Sequence, residues 1–327
     1  MSWLFGHHDR KPGIFLSLVY KILKAGIIPQ HVAFIMDGNR RFACKEKIER
    51  REGHNKGFHK LTEVLQWCYE LGIPEVTVYA FSIENFKRSQ DEVDTLLEIF
   101  KKELNKLLEK KDELTEYSVC IRFIGNIALF DYDIREIIFK VINLTKNNNR
   151  SFLNIAMAYT SRDEITYAIR EIAVGVDKGM ILESDIDEEL LENCFYTNKC
   201  KPVDLVIRTS GEVRLSDFLL WQTSFSTLCF VDSLWPEFTV WNLLFCIFKF
   251  QLGYNTIQNA KSTSKLKERR AQLELDFQSA YKAERCSEDN IDPDNIEKQT
   301  LLRTERINRF LAMVEDRRNE LMFLTKS

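Results

Sequence analysis

The stretch His31-Val-Ala-Phe-Ile-Met-Asp37-Gly-Asn-Arg40-Arg41 decides the fold. Val32 to Met36 is a short apolar run, the pattern of a strand buried on both faces of a parallel sheet rather than one alternating between core and water. A carboxylate follows at once. Asp37 and Gly38 therefore fall where a buried strand ends and the chain turns, and open α/β sheets hold their ligands in that carboxyl-end crevice. Gly38 and Asn39 are residue types that accept positive φ, so their N–H groups can converge on an anion. Arg40, Arg41, Lys45, Arg50 and Arg51 bring positive charge to the same neighbourhood. The residues alone leave two readings open: a metal-bridged phosphate site, or an ordinary Asp-Gly-Asn turn beside a solvated basic face.

Outward from this stretch, helical and extended patterns alternate. Ile14 to Ala25 reads as a short amphipathic helix with Lys21 and Lys24 near its end, suited either to packing on the domain or to lying on a membrane surface. Phe58, Leu61, Val64, Leu65, Cys68 and Leu71 mark a helix stopped by Gly72 and Pro74. Glu75 to Phe81 is β-rich and ends in Ser82-Ile-Glu-Asn85-Phe-Lys-Arg88, locally a loop with a capping Asn. Ser89 and Glu92 match a capping box that opens a helix reaching about Leu114. Val119 to Ile124 and Phe152 to Tyr159 read as strands, with a helix around Ile134 to Val141 between them and another from Ser161 to about Val176. Asp204 to Arg208 is a buried strand delivering Arg208-Thr-Ser-Gly211-Glu-Val-Arg214-Leu-Ser216. Two guanidiniums and a hydroxyl at a strand end suit a diphosphate, although a lone Arg there more often caps a helix or pairs with an acid. Leu228 to Val231 is the last strand, followed by an apolar helix from Val240 to about Leu252. This rhythm predicts an α/β fold: a mainly parallel central sheet of about six strands, helices on both faces, and a C-terminal helical extension. The expected segments are 1–28 (amphipathic helix), 29–253 (the α/β domain) and 254–327 (charged extension of two helices).

The chain has 327 residues, and 45% are apolar, enough for a large core. Lys plus Arg at 46 against Asp plus Glu at 49 gives a net charge of −3, which argues against a dominant nucleic-acid function. The 8 cysteines form no Cys-x-x-Cys pair, which argues against a zinc module or disulfide framework and fits a reducing compartment. The opening residues lack the pattern of a signal peptide, and no run is apolar enough to span a membrane. His7-His8-Asp9 has metal-ligand residue types but reads as a solvated tail. Neither Gly-x-x-x-x-Gly-Lys-Ser/Thr nor Gly-x-Gly-x-x-Gly occurs, so nucleotide binding has little support.

Three blocks, His31–Arg41, Ser82–Arg88 and Asp204–Gln222, resemble in this order the signatures of the cis-prenyltransferases, the undecaprenyl diphosphate synthase-like family. The resemblance spans roughly residues 29–252. It implies an enzyme that condenses isopentenyl diphosphate units onto farnesyl diphosphate with Mg²⁺, making a long-chain dehydrodolichyl diphosphate for dolichol synthesis and protein glycosylation. It implies Asp37 as metal ligand and catalytic residue, with Asn85 and Ser82 as orienting or proton-relay groups. Gly38, Asn39, Arg41 and Arg50 are implied to hold the allylic diphosphate with Arg88 assisting, Arg208, Arg214 and Ser216 to hold the isopentenyl diphosphate, and Arg40, His54 and Phe81 to contact substrate, His54 being a further candidate for the orienting or proton-relay role. Leu96, Leu97 and Phe100 are implied to wall a hydrophobic tunnel. No Asp-Asp-x-x-Asp pair of the trans type occurs.

Two departures stand out. Thr227 occupies the position where many bacterial relatives carry an acid, implying a metal shell one carboxylate short. The last residues, Asn319 to Ser327, lack an Arg-x-Gly element. Both are similar to the eukaryotic branch of the family, whose missing element comes from a Nogo-B-receptor-like accessory subunit. That implies a catalytic subunit peripherally attached at the cytosolic face of the endoplasmic reticulum membrane. A noncatalytic scaffold subunit of such a complex is the alternative.

Overall fold

The computed structural model describes residues 13–284 and 293–323; the His7-His8-Asp9 cluster lies outside them. Its strands are β1 (His31–Ile35), β2 (Glu75–Ser82), β3 (Val119–Ile124), β4 (Ser151–Tyr159), β5 (Leu205–Arg208) and β6 (Thr227–Phe230). They form one sheet in the order β3-β4-β2-β1-β5-β6, and every pairing is parallel. β1 is buried at each of its positions, as its unbroken apolar run requires. From β1 the chain steps to β2 on one side, and β5 later pairs on the other. The crevice beyond the carboxyl ends of β1 and β5 is thus the switch point where such sheets bind ligands.

The helices are α1 (Ile14–Ala25), α2 (Asn39–Glu46), α3 (Arg50–Leu71), α4 (Gln90–Glu109), α5 (Lys111–Glu116), α6 (Tyr132–Thr145), α7 (Ser161–Asp177), α8 (Glu188–Asn193), α9 (Val240–Glu284) and α10 (Pro293–Phe323). The basic segment after the Asp37-Gly38 turn, which the sequence pattern assigns to no element, is helical. Of Gly38 and Asn39, Gly38 alone takes the left-handed conformation, at φ 108°, and Asn39 is already the first residue of α2. α2 lies directly on α3 because α3 carries glycine where they touch. A Cβ at Gly53 would stand 2.7 Å from the Asn39 carbonyl oxygen, and one at Gly57 2.2 Å from Asn39 Oδ1. A short 3-10 turn, Trp235–Glu237, closes this corner. There the buried Trp235 Nε1 donates to the Gly57 carbonyl at 2.7 Å, and its ring stands 5.9 Å from that of Phe34 on β1.

Two helix ends differ from the patterns. Ser89 precedes α4 but makes no side-chain cap: the Glu92 N–H donates to the Ser89 carbonyl at 3.0 Å, and the Glu92 carboxylate turns toward arginines. The apolar helix expected to stop near Leu252 continues to Glu284 in α9, with no Pro or cap to end it.

The described residues fall into two compact units, residues up to Ser161 with Cys200–Ile257, and Arg162–Lys199 with Gln258 onward. Residues 162–199 thus group with the C-terminal segment rather than with the rest of 29–253. Within the second unit, α10 packs by burying Phe310 against Gly175 of α7, where a Cβ would stand 2.5 Å from the ring. Arg306 binds the buried Asp185 at 2.8 Å, and Arg317 binds Glu171 at 3.0 Å. Lone buried carboxylates would be costly, so these pairs also fix where α10 sits.

Candidate active site

Parallel pairing places Ile35 opposite Arg208, so the chain leaving β1 and the end of β5 emerge at one edge. Two residues past Ile35, Asp37 Oδ2 accepts a hydrogen bond from Arg208 Nη2 at 2.8 Å. Backbone and hydroxyl bonds lock the acid in place. Asp37 N–H donates to Thr209 Oγ1 at 3.1 Å, and Thr209 Oγ1 and Trp235 N–H donate to the Asp37 carbonyl at 2.7 and 3.0 Å. Burial by itself would raise the Asp37 pKa. The Arg208 hydrogen bond and charge, helped by Arg41 and the Gly38 N–H, outweigh it and hold the carboxyl below its ordinary value.

Arg208 is only 3% exposed, and its three contacts define a clamp. Nη2 holds Asp37, while Nη1 donates to Ser216 Oγ at 2.7 Å and to the Arg214 carbonyl. A buried guanidinium with one carboxylate partner is available to a second anion. The loop it grips is bent: Ser210, Gly211, Ser216, Asp217 and Leu219 all have positive φ. Such conformations cost about 1–3 kcal/mol each for non-glycine residues and persist only under tertiary restraint. Tyr79 supplies part of that restraint, donating its hydroxyl to the Ser216 and Tyr159 carbonyls at 3.3 and 3.1 Å while its ring stacks on Phe218 at 4.4 Å. Ser161 holds the far end, accepting from Leu220 N–H at 2.8 Å.

The arginines expected to act together divide between two clusters, one around Asp37 and Glu212 and the other around Glu92. Arg41 stands 3.6 Å from both Asp37 and Glu212 and donates to Ser210. The Arg214 side chain is exposed and pairs with Glu212 at 3.3 Å, so its carbonyl rather than its guanidinium meets Arg208. Arg88, Arg40 and Arg50 gather instead around Glu92, at 2.7, 3.5 and 3.8 Å. Consecutive residues 40 and 41 of α2 thus serve both clusters. Beside Glu92 a cleft of about 440 Å³ is lined by Arg50, Arg51, His54, Thr95 and Leu96 among others. Burial, then the Arg88 charge, push the His54 pKa down to about 4, so the ring is neutral at pH 7. Its Nε2 has no hydrogen-bond partner among the described residues.

The second block is a locally capped 3-10 turn, Ile83–Lys87. Asn85 Oδ1 accepts from Ser82 N–H at 2.9 Å, and Ser82 Oγ accepts from Glu84 N–H at 3.2 Å. Phe81 is buried against Phe86 and Phe130, at 4.9 and 5.8 Å between rings. Gly38 opens α2 without a side-chain cap, which leaves first-turn N–H groups for an anion. A Cβ there would also meet Leu234 at 3.0 Å.

One expectation fails on geometry. Thr227 pairs with Leu205 at the start of β6, three residues before the level of Arg208 and Phe230. At about 3.3 Å per residue it lies roughly 10 Å from the crevice, so no side chain at 227 completes the Asp37 shell of the same chain. Sequence reasoning also missed Glu212, Glu92 and Tyr79 as parts of the site. Glu212 stands inside the third block, but its pairing with arginines on separate elements is a tertiary fact.

Among the described residues no three or more His, Cys, Asp or Glu side chains gather as a metal cage. The residues present fit a hard divalent ion of another kind. Asp37 is one ionised, 34% exposed carboxylate, and Mg²⁺ typically takes one or two such ligands and completes its shell with phosphate oxygens and water.

Comparison with known proteins identifies the family. Residues 35–257 match the Prenyltransf family model, described as undecaprenyl diphosphate synthase. The chain is 50% identical over 276 residues to the dehydrodolichyl diphosphate synthase complex subunit DHDDS of Homo sapiens, covering 84% of this chain and 82% of that one. It is 43% identical over 248 residues to the tritrans,polycis-undecaprenyl-diphosphate synthase (geranylgeranyl-diphosphate specific) of Pyrococcus horikoshii, covering 73% and 94%. Among solved structures, lavandulyl diphosphate synthase from Lavandula x intermedia, in complex with dimethylallyl diphosphate, superimposes with a TM-score of 0.65 at 33% identity, covering 68% of this chain and 95% of that one. With its parallel sheet, its Asp37–Arg208 clamp and these likenesses, the chain belongs to the undecaprenyl diphosphate synthase family of cis-prenyltransferase enzymes.

Proposed function

We propose that this chain is the catalytic subunit that condenses isopentenyl diphosphate units onto farnesyl diphosphate, making a long-chain dehydrodolichyl diphosphate for dolichol synthesis and protein glycosylation. The observation that carries this reading is the buried Arg208, held between Asp37 at 2.8 Å and Ser216 at 2.7 Å at the sheet edge.

Prenyl transfer breaks the bond between the allylic carbon and its diphosphate, and the double bond of isopentenyl diphosphate attacks that carbon. Negative charge collects on the leaving diphosphate, so fixed donors around it lower the barrier. Gly38 and Asn39 offer backbone N–H groups there, and Arg40, Arg41, Arg50 and Arg88 offer guanidiniums. Their resting partners Glu92 and Glu212 keep them oriented before substrate arrives. Neutral His54 lines the same cleft as a hydrogen-bonding group rather than a charge. Phe81 backs the apolar part of the allylic substrate. Arg208, Ser216 and Arg214 hold the second diphosphate. Asn85, whose carbonyl oxygen is committed to its cap, retains its NH₂ to orient the group that receives the proton lost from isopentenyl diphosphate, with Ser82 beside it. Mg²⁺, held by Asp37, would neutralise charge on the departing diphosphate.

The reading extends to the setting. The subunit acts with a Nogo-B-receptor-like accessory subunit, attached peripherally at the cytosolic face of the endoplasmic reticulum membrane; the "complex subunit" in its relatives' names supports a partner. Incubating the chain with Mg²⁺, farnesyl diphosphate and labelled isopentenyl diphosphate, with and without that accessory subunit, tests the proposal. Label in a long-chain lipid is expected with the accessory subunit present. No incorporation under either condition would leave the scaffold reading instead.

A further inference from the structure

Residues between β6 and α9 support both halves of the site. The Val231 and Ser233 carbonyls accept from the Gly211 and Ser210 N–H groups at 3.0 and 2.8 Å, and Trp235 N–H donates to the Asp37 carbonyl at 3.0 Å. Leu234 fills the space against Gly38, where a Cβ would stand 3.0 Å from it. The acid and the Arg208 loop therefore lean on one short segment. Two cysteines flank that segment and meet. Cys229 is the buried position of β6, and Cys246 is buried on the inward face of α9. Their side chains hydrogen-bond to each other, so the sulfurs are already neighbours. No role in substrate binding described above uses either thiol.

We propose that Cys229 and Cys246 form a reversible dithiol–disulfide site, closed by peroxides, that braces the segment on which Asp37 and the Arg208 loop rest. A disulfide needs two sulfurs brought together by the backbones that carry them, and the contact between β6 and α9 supplies that. The two thiols are unequal. The hydrogen bond from Cys246 and the Lys249 ammonium hold the Cys229 thiol below its ordinary pKa against the opposing effect of burial, while the same bond and burial push Cys246 up. Cys229 is thus the sulfur that reacts first. Its thiolate attacks one oxygen of hydrogen peroxide, the O–O bond breaks, and the hydroxide released takes a proton to leave as water, giving a sulfenic acid. The Cys246 sulfur then attacks the Cys229 sulfur, its thiol proton passes to the departing hydroxide, and a second water leaves as the S–S bond forms. Two thiols have lost two electrons to one peroxide, and a thiol reductant reverses the change. The path inward is short: β6 is the last strand of the sheet, and Cys246 lies next to the exposed Phe245 and one turn before the exposed Lys249. Local opening of that stretch of α9 admits a molecule the size of peroxide. A transient, redox-responsive disulfide is also the kind found in reducing compartments.

Hydrogen peroxide treatment of the full chain, followed by alkylation of the remaining thiols and mass spectrometry of a non-reducing digest, tests the proposal. A Cys229–Cys246 linked peptide, lighter by two hydrogens than its parts, is expected, and dithiothreitol should release it. Linking the ends of the segment 230–245 restricts the unfolded chain, so the melting temperature should rise by roughly 3–5 °C on oxidation and return on reduction. Cys246→Ala and Cys229→Ala, each with a cooperative melting transition under reductant to verify the fold, are expected to lose both the link and the rise. Cys44→Ser, at an exposed cysteine, should keep both. The proposal is overturned if both thiols remain open to alkylation after oxidation and unfolding, or if Cys229 carries a sulfinic or sulfonic acid in place of the link. It is equally overturned if either alanine variant still gains the rise, or if the linked wild type melts no higher than the reduced one. None of these readouts involves isopentenyl diphosphate, so a failure of the enzymatic reading would leave them to be judged separately.

Discussion

Replacing Asp37 by Asn keeps the side chain's size and one oxygen but removes the carboxylate that meets the buried Arg208. Two unit charges about 4 Å apart interact by roughly 4 kcal/mol at an effective dielectric near 20. Asp37 is 34% exposed and shares its charge with Arg41 at 3.6 Å, so solvent and the second arginine offset much of this. A net loss of about 1–2 kcal/mol remains, which lowers the melting temperature of a 327-residue chain by roughly 1–3 °C. The pH dependence identifies the cause. The folded pKa of Asp37 lies below its unfolded value of about 3.9, so its contribution is fully present above that pH and is lost as pH falls through the folded pKa. Wild-type and variant melting temperatures should therefore differ at pH 7 and converge on acidification. Incorporation of labelled isopentenyl diphosphate at pH 7 should fall by about 10²–10³, the usual consequence of removing one preorganised electrostatic group. A variant that keeps its incorporation rate refutes the site. One whose stability deficit is as large at pH 3 as at pH 7 refutes the charge argument.

Tyr79→Phe keeps the stack on Phe218 but strands the Ser216 and Tyr159 carbonyls, a loss of about 1–2 kcal/mol. KM for isopentenyl diphosphate should rise about five- to tenfold with kcat nearly unchanged, and a matching fall in kcat would contradict a positioning role. Gly53→Ala forces a Cβ to within 2.7 Å of the Asn39 carbonyl oxygen, and should destabilise by about 1–3 kcal/mol despite alanine's better helix propensity. A melting temperature at or above wild type would show that α2 does not rest on α3. His54, neutral in the fold down to about pH 4, takes up its proton in the unfolded chain near pH 6.5. Stability should therefore fall by up to about 3 kcal/mol between those values, and His54→Gln should flatten that slope in acid melts.

Much of this architecture is legible in local patterns. A run such as Val32–Ile35 has nowhere to go but a doubly covered strand, and an acid directly behind it marks a strand end. The strands and their parallel direction follow from alternating periodicities, because right-handed helical crossovers join parallel neighbours, whereas the strand order was set by the tertiary pairing. Arg208, Ser216 and Asp37 were visible as site candidates for the same reason: each sits at or just past a strand terminus. The helix after Gly38 was harder to see. Its sequence is dominated by charge, and its stability comes from lying on Gly53 and Gly57, residues that look like weak points in α3 until another backbone fills the space.

What tertiary structure decided was the pairing of charges. An arginine's sequence position fixes where its Cα lies, but its long side chain finds its acid across elements more than a hundred residues apart, as Arg41 does with Glu212 and Arg208 with Asp37. Neighbouring Arg40 and Arg41 therefore serve different clusters, and Glu92, which fits a helix cap by spacing, binds three guanidiniums. Register had the same authority over Thr227, which parallel pairing sends to the opposite end of β6. Backbone hydrogen bonding is local enough to be written into residue pattern, whereas electrostatic partnership depends on distances that exist only once the sheet has closed.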